Sequence, residues 1–454
     1  MVHGATFELS GYNVHRSSDT QQMLEVIGVK SIDELFEDIP LGIRLARPLN
    51  LPEPMTEWQL QREMSRLASS NATVRTHLSF LGGGAYAHHI PAVVDYMCNR
   101  GEFLTAYTPY QPEMSQGLLQ VLFEYQLSVS KLVGLPSVNC SLYDGATALA
   151  EAAWMACSIK DIKRLIVSKT IWPEWLEVLE TYMKGRGVDL HYLDDDTTGM
   201  VDLAGLQSAA ATPTAAVLIQ SPNRYGVIED IATIASICKE RDILTNVAVY
   251  PIACGLLKPP GELGADIVTC EGQALGIPLS AGGAYLGVLA THKEYERYLP
   301  GRIVGKLVDL RGESAYALIK EEREQHVSRD RATSHICSNQ ALHAMRAAIY
   351  LACVGEVGMR EIAAQNTAKA HHLADLLTMI EGVKFFKSGN FFNEFTLTLP
   401  VPVELVLERL LEYGIFGGIG LGSHEVLIAV TELHSRADLQ LMFDILKQVV
   451  VEMQ

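Results

Sequence analysis

Short apolar runs alternate with helical patterns through the middle of the chain. The runs include RLIVS, HYL, AAVLIQ, ILTNVAVY, ADIVTC and AYLGVLAT, and patterns such as DLAGLQSAA and IEDIATIASICKERD separate several of them. Strands that are apolar on both faces and alternate with helices are typical of a largely parallel sheet covered by helices on both sides. The pattern therefore predicts an α/β fold.

The patterns on either side of this region divide the chain into three predicted parts. Residues 1–110 indicate a proline-rich helical arm of the kind that forms an oligomer interface, with helices expected in SIDELFEDIP and MTEWQLQREMSRLA. Residues 111–338 form the large α/β domain, which begins with a helix that ends at Gly134. Residues 339–454 start with two amphipathic helices and continue into a small C-terminal α/β domain that includes VELVLERLLEYG and VLIAVTE.

Composition and charge exclude several classes of protein. Apolar residues make up 48% and charged residues 20%, as in ordinary globular proteins, and no stretch approaches the roughly 18 apolar residues of a membrane-spanning helix. The opening MVHGATFELS lacks the basic and apolar regions of a secretory signal. The formal charge of −17, without any cluster of Lys and Arg, argues against a nucleic-acid partner. We therefore expect a cytoplasmic protein that binds neither membrane nor nucleic acid.

Cysteine and histidine spacing gives no metal or redox motif. The eight cysteines lie at least sixteen residues apart, so no CxxC pair exists. The adjacent pairs His88-His89 and His371-His372 cannot easily face one metal ion on a helix or strand. No metal site is predicted.

A polar loop before the first helix of the large domain is the most unusual segment. The run TAYTPYQPEMSQG holds two tyrosines and two prolines, and the prolines restrict the backbone so that the polar side chains are presented rigidly. Helix-entry packing is the alternative interpretation. The candidate catalytic residues are Tyr107, Tyr110, Gln111, Glu113, Ser115 and Gln116.

A second candidate is the turn YDGAT, which opens an alanine-rich helix. Free N–H groups at a helix N-terminus bind anions, and small residues let a phosphate approach. Tyr143, Asp144 and Thr147 are therefore candidates for a phosphate turn. A tight turn that only caps a core helix is an equally good interpretation.

A series of long motifs resembles a known family. FLGGGAYAHHIPAVV, TAYTPYQPEMSQG, YDGATALAEAA, GLLKPPGELGADIV, EGQALGIPLSAGGAYLG, PGRIVG, EREQH, SNQAL and FFNEF follow one another from about residue 20 to the end. They resemble subunit 1 of the two-chain P-protein of the glycine cleavage system. The resemblance implies the fold of aspartate-aminotransferase-like, fold type I enzymes that depend on pyridoxal 5′-phosphate (PLP).

The resemblance also implies a reaction and its partners. With subunit 2, a protein of this family decarboxylates glycine, releases CO2 and transfers the aminomethyl group to the lipoyl group of H-protein. The implied cofactor is PLP held by the partner subunit, and the lipoyl group of H-protein is the acceptor. Subunit 2, H-protein and glycine are the implied partners.

Three positions bear on whether this chain holds PLP itself. Gln273 stands where enzymes of this fold usually have the cofactor lysine, by its spacing to Pro278, and an amide cannot form a Schiff base. Tyr250 stands near the place where many members of the fold family have a short polar or acidic residue. Lys258 is an alternative lysine, but it precedes the strand instead of following it. We therefore expect no covalent PLP, and Tyr143, Asp144 and Thr147 would be a vestigial phosphate turn.

The contribution of this chain to catalysis is left open by the sequence. The loop from Gly82 to His89 and the residues Arg323, Gln325 and His326 are further candidates, each with interface packing or buried hydrogen bonding as its alternative role. A non-catalytic regulatory or structural subunit is the alternative to a catalytic one. An independent PLP aminotransferase requires a lysine that the sequence does not provide.

Overall fold

The computed structural model describes residues 14–45, 47, 49–104, 109–336 and 340–454, in two units that divide after Asn71. The first unit contains the helices α1 (Ser17–Ile27) and α2 (Glu57–Ala68), and SIDELFEDIP forms a short 3-10 turn over Ile32–Phe36. Thr56 caps α2, because its hydroxyl accepts a hydrogen bond from the Gln59 N–H. No described residue of this unit is buried.

The second unit contains the remaining elements. Its described strands are β1 (Leu78–Ser79), β2 (Ser137–Val138), β3 (Arg164–Ser168), β4 (Asp189–Leu193), β5 (Ala216–Ser221), β6 (Leu244–Val249), β7 (Ile267–Glu271), β8 (Gly287–Thr291), β9 (Ile303–Val308), β10 (Ser314–Ile319), β11 (Lys384–Phe385), β12 (Glu394–Thr398), β13 (Ile415–Phe416), β14 (Ile419–Gly420) and β15 (Glu425–Ala429). Its described helices are α3 (Ala92–Cys98), α4 (Gly101–Leu104), α5 (Gln116–Val133), α6 (Gly145–Lys160), α7 (Pro173–Lys184), α8 (Leu203–Ala209), α9 (Ile231–Lys239), α10 (Gln325–Ser328), α11 (Ala341–Leu377), α12 (Val403–Glu412) and α13 (Arg436–Met453).

The central sheet confirms the prediction of a mostly parallel α/β fold. Among the described residues its strand order is β2-β8-β7-β6-β5-β3-β4, and β3 to β7 pair in parallel while β8 runs antiparallel to β7. Every residue of β5, β6 and β7 is buried, as expected for strands covered on both faces. The carboxyl ends of β6 and β7 therefore lie side by side at one edge of the sheet.

A small antiparallel sheet forms the C-terminal part of the fold, in the order β11-β12-β15-β14. The chain segment after Ala72 packs on it: Leu78 of β1 pairs with Ile415 of β13, and the Phe80 carbonyl accepts a hydrogen bond of 3.0 Å from the Ala429 N–H. The two predicted amphipathic helices form one helix, α11, which is interrupted at Gly355 with φ +63°. Only glycine adopts that backbone readily, so the break falls between the two predicted helices.

Two glutamine side chains of α5 extend the hairpin formed by β9 and β10. The amide of Gln116 accepts a hydrogen bond from the Tyr316 N–H (2.9 Å) and donates to the Tyr316 carbonyl (2.8 Å). The amide of Gln126 accepts from the Val304 N–H (2.9 Å) and donates to the Val304 carbonyl (3.0 Å). Each amide thus occupies the position of a neighbouring strand's peptide group on one edge of the hairpin.

Candidate functional site

Gln273 lies just beyond the end of β7, as its predicted place after a strand requires. Its amide oxygen accepts a hydrogen bond from the Tyr86 N–H (2.8 Å), and its amide nitrogen donates to the carbonyls of Tyr86 (3.0 Å) and Ile277 (2.8 Å). The side chain is buried. All three bonds go to backbone, so Gln273 fixes the loop from Gly82 to His89 against the sheet edge.

The predicted phosphate turn at the start of α6 is capped by the protein's own carboxylates. The Glu271 carboxylate accepts hydrogen bonds from the N–H groups of Gly145 (2.9 Å), Gln273 (3.0 Å) and Leu286 (3.1 Å). Asp144 accepts from the Thr147 N–H (2.8 Å) as the cap of the helix. Burial raises the pKa of Glu271 to about 8. The N–H groups of Gly145 and Thr147 are therefore engaged within the chain.

Aromatic side chains fill the space beside that turn. The Trp175 ring lies so close to Gly145 that a Cβ on residue 145 would stand 2.3 Å from it. A cavity of about 20 Å³ is left, which is room for about one water molecule. It is lined by Gly84, Tyr86, Trp172, Trp175, Gln220, Pro222, Ala248, Val249, Tyr250 and Glu271.

These residues do not fit PLP. The cavity is far too small for a pyridine ring with its phosphate, Glu271 accepts the Gly145 N–H that a phosphate at the start of α6 would need, and the Gln273 amide cannot form a Schiff base. Lys258 is exposed and does not line the cavity. Tyr143 packs partly buried beside the core of the large domain. In this chain, Asp144 and Thr147 thus cap a helix.

The candidate loop from Gly82 to His89 is held by two carboxylates of the small sheet region. Glu394 accepts hydrogen bonds from the Gly83 N–H and the Tyr86 hydroxyl, both at 2.8 Å. Glu432 is hydrogen-bonded to His88 Nδ1 (2.8 Å) and accepts from the His89 N–H (2.7 Å). The loop is therefore an internal connection between the sheet edge and the small sheet.

Tyr250 is joined to the same loop. Its hydroxyl is hydrogen-bonded to His88 Nε2 at 2.5 Å, and its ring packs on the Tyr86 ring with centroids 4.5 Å apart. Burial acts to raise the pKa of Glu432, but the hydrogen bond and charge of His88 outweigh it and lower that pKa. A chain of hydrogen bonds thus runs from Tyr250 through His88 to Glu432 and fixes Tyr250 in the wall of the cavity.

Glu394 makes the stability of the chain depend on pH. Burial raises its pKa to about 7, above the roughly 4.3 of an unfolded chain, so the folded state binds the proton more tightly. The stabilisation is complete below about pH 4 and is lost as the pH rises through about 7. We expect Glu394 to account for about 1.4 kcal/mol of lost stability between pH 6 and 8.

Thermal unfolding at both pH values of Glu394→Gln measures this contribution, because the amide removes the titration and should flatten the decline. Glu408→Gln is the control, since Glu408 is exposed and its replacement removes the same formal charge. If stability fell equally with pH in the two variants, the assignment of this decline to Glu394 would be wrong.

The polar loop before α5 is only partly described. Tyr107 lies outside the described residues, and Pro112–Met114 form a 3-10 turn. Gln111 and Glu113 are exposed, and Ser115 is half-buried. Gln116 also donates to the Pro112 carbonyl (2.8 Å), so its amide is fully used in holding the loop to β10.

Tyr110 contacts Arg302, which sequence reasoning overlooked, and the predicted residue His326. Arg302 donates a hydrogen bond of 2.9 Å to the Tyr110 hydroxyl and places its guanidinium 5.2 Å from the ring centroid. His326 approaches the same ring edge-on at 5.7 Å. Arg323 donates to the carbonyls of Leu299 and of Gly301 (2.6 Å), the residue before Arg302.

We call Tyr110, Arg302, Arg323 and His326 the arginine cluster. Sequence reasoning missed Arg302, although it stands in the motif PGRIVG, because one arginine between apolar residues gives no local pattern. Gln325 is half-buried at the start of the short helix α10. The structure thus brings Tyr110 and His326 together and places Arg323 against the turn that carries Arg302, while Gln116 and the loop from Gly82 to His89 have structural partners.

The described part of the chain offers neither a metal site nor a membrane-spanning helix. There, no group of three or more His, Cys, Asp or Glu side chains is arranged to hold a metal ion. No helix in the same part is long and apolar enough to cross a membrane.

Comparison with known proteins identifies the family. The model of the glycine cleavage system P-protein family matches residues 11–446. The chain belongs to this family. It is 44% identical over 434 residues to the probable glycine dehydrogenase (decarboxylating) subunit 1 of Bacillus pumilus, a match that covers 94% of this chain and 96% of that protein.

Solved structures agree with the family assignment. A crystal structure of glycine decarboxylase (P-protein) of the glycine cleavage system, in inhibitor-bound form, superposes with a TM-score of 0.89 at 40% identity and covers 96% of this chain and 99% of that one. The glutamate decarboxylase of Lactobacillus brevis superposes with a TM-score of 0.67 at 14% identity, covering 93% and 97%. The predicted fold of PLP-dependent fold type I enzymes is confirmed.

Proposed function

We propose that this P-protein family member is subunit 1 of a two-chain glycine decarboxylase. With subunit 2 it decarboxylates glycine, releases CO2 and transfers the aminomethyl group to the lipoyl group of H-protein. The relative in Bacillus pumilus carries the name of that subunit. A cytoplasmic location stays a prediction from the sequence.

The observation that carries the proposal is a PLP-enzyme fold whose own cofactor place is filled. Gln273 is committed to backbone, and Glu271 and Trp175 occupy the surroundings of the α6 N-terminus. Because its own side chains occupy the cofactor place, this chain needs a partner that holds PLP. Bound there, PLP would supply the electron sink for loss of the glycine carboxylate.

In the reaction, this chain contributes surface side chains to the active site that the partner subunit carries. Tyr110, Gln111 and Glu113 present polar groups at the surface on a loop that Gln116 fixes to β10. Groups held in this way can orient a substrate and exclude water without an entropy cost at the moment of reaction. The loop favours this role over that of a purely regulatory or structural subunit.

The N-terminal unit supports a permanent association. Its helix α2 exposes Trp58, Leu60 and Met64, and no described residue of the unit is buried. Apolar side chains of this kind on an arm without a core of its own are typical of obligate interfaces. We assign the arm to the interface with subunit 2.

Reconstitution tests the proposal. Each chain is purified, and exchange of the glycine carboxylate with CO2 is measured for each chain alone and for the mixture, with H-protein present. We expect activity and a stable complex only in the mixture. Borohydride reduction followed by peptide mapping should locate the pyridoxyl-lysine in subunit 2. A pyridoxyl-lysine in this chain, at Lys258 for example, or full exchange by subunit 2 alone would refute the proposal.

Replacing Tyr110 with phenylalanine tests the loop. The variant keeps the ring over Arg302 and loses the hydroxyl that accepts the Arg302 hydrogen bond. If Tyr110 orients the reacting complex, loss of a bond to a charged group costs about 1.5–3 kcal/mol, or roughly ten- to a hundred-fold in rate. The rate of glycine decarboxylation by the reconstituted complex measures this loss.

The control for this variant is Tyr298→Phe. Tyr298 also accepts a hydrogen bond from an arginine, Arg297 at 2.7 Å, whose guanidinium lies over its ring. We expect that variant to keep the rate. An intact complex of unchanged rate with Tyr110→Phe would assign Tyr110 to packing, and poor assembly would make it an interface residue.

A further inference from the structure

Buried polar atoms without a partner concentrate around the turn at Gly301. In the described part of the chain, no hydrogen-bond partner is present for the Nε atoms of Arg302 and Arg323. The same holds for Asn139 Oδ1, Ser141 Oγ and Glu324 Oε1. Two of these five atoms are cationic donors, and leaving such donors buried and unpaired is costly.

The two guanidinium groups are held in place by the backbone and by Tyr110. The Arg323 side chain is 8% exposed and donates to the Leu299 and Gly301 carbonyls, so its position is fixed. The Asn139 amide nitrogen donates to the Pro300 carbonyl (2.9 Å), and the Cys140 N–H donates to the Arg302 carbonyl (2.8 Å). Both ends of the turn that carries Arg302 are therefore fastened to the segment after β2.

Glu324 is the carboxylate that acts most strongly on Arg323, and Glu322 and Glu296 also act on it. Glu324 lies 3.5 Å from Arg323, and Arg302 and His326 also act on it. Glu296, which also acts on Arg323, is bound by Ser137 (2.7 Å) and Lys293 (2.5 Å). The two guanidinium groups thus share the buried Glu324 carboxylate with His326.

The cluster opens towards the surface at Tyr110, which is 49% exposed. A planar guanidinium with free N–H groups matches the geometry of a carboxylate or a phosphate, and such bonds are stronger than those between neutral groups. Water can satisfy a lone N–H, but it does not neutralise the charge.

We propose that Arg302, backed by Arg323, binds an anionic oxygen group that the partner subunit brings to this surface. The group is the carboxylate of glycine or the phosphate of PLP, which share the chemistry that the guanidinium recognises. Tyr110 and Arg323 act as positioning residues for Arg302. The inference rests on the proposed function, since it requires a partner subunit that carries these ligands.

Binding measurements on the reconstituted complex test this site. Arg302→Gln removes the charge and Arg302→Lys keeps the charge without the planar fork. The affinity for PLP is measured by absorbance titration of the PLP-free complex. The affinity for glycine is then measured by spectral titration at saturating PLP, with KM and kcat determined separately. Assembly is followed by size-exclusion chromatography.

Arg302→Gln should weaken one of the two affinities roughly ten- to a hundred-fold, and Arg302→Lys should weaken the same one less. Loss of PLP affinity alone identifies the phosphate as the ligand, and loss of glycine affinity with a raised KM identifies the carboxylate. Arg297→Gln is the matched control. Arg297 also donates a hydrogen bond to a tyrosine hydroxyl and lies over the tyrosine ring, but Arg297 is exposed. This variant should change neither affinity.

Two results would overturn the inference. One is an assembled Arg302→Gln complex whose affinities both lie within twofold of the unsubstituted complex. The other is a failure of both Arg302 variants to assemble although each folds alone, which would make Arg302 an interface residue. Equal affinities of subunit 2 with and without this chain would instead refute the proposed function, and that measurement needs no variant.

Discussion

Replacing Gly226 by alanine is expected to destabilise the chain by about 3–5 kcal/mol. Gly226 has φ +82° and lies in the turn after β5, where its carbonyl accepts a hydrogen bond from the Phe392 N–H (3.2 Å). A Cβ on residue 226 would stand 1.9 Å from the backbone oxygen of Glu394. Backbone on both sides must move to relieve that contact, and the left-handed conformation adds about 1–2 kcal/mol.

Chemical denaturation of the purified chain measures this cost. Gly312→Ala is the matched control, because Gly312 has φ +83° and a Cβ there meets nothing within 4 Å. We expect Gly312→Ala to lower the free energy of unfolding only by the cost of the left-handed backbone, about 1–2 kcal/mol. If the two variants lost the same stability, the close approach between the turn after β5 and the start of β12 would be wrong.

The second large effect is expected for Gln273→Leu, which should lower the free energy of unfolding by about 3–4 kcal/mol. Leucine keeps the approximate volume but leaves the Tyr86 N–H, the Tyr86 carbonyl and the Ile277 carbonyl buried without their partner. The loop from Gly82 to His89 should then open more often, so that hydrogen exchange at Tyr86 becomes faster. Denaturation and hydrogen exchange measured by mass spectrometry test both parts.

Gln120→Leu is the control for that variant. Gln120 is exposed on α5 and bonds only the Glu124 side chain among the described residues, at 2.9 Å. A surface change of this kind usually stays within about 0.5 kcal/mol. A Gln273→Leu effect as small as this one would show that the buried amide does not hold the loop.

Local patterns were sufficient to predict most of the large domain. RLIVS coincides with β3, and α5 ends before Gly134, whose φ of +77° suits glycine. A strand that is buried on both faces is a continuous apolar run, and many helices are followed by a glycine. A few consecutive residues are therefore enough to recognise either feature. SIDELFEDIP gave only a 3-10 turn, because its five helical residues are too few for stable α-helix without packing.

The site depended on contacts that no local pattern records. The place of Gln273 followed from its spacing to Pro278, but its bonds to Tyr86 span 187 positions. Glu271 reaches Gly145 across 126 positions, and Glu394 reaches Tyr86 across 308. A single glutamate in an apolar or glycine-rich run has no period, so sequence reasoning could predict the helix N-terminus at YDGAT and not the group that occupies it.

The glutamines of α5 also affect how this chain meets other chains. A two-stranded hairpin presents a row of free peptide groups on each side, and such rows recruit strands from other molecules into aggregates. Gln126 occupies the Val304 peptide groups on one side, and Gln116 occupies those of Tyr316 on the other. Each side chain thereby blocks strand addition at one position of its edge. The hairpin is thereby a poorer template for the strands of other molecules.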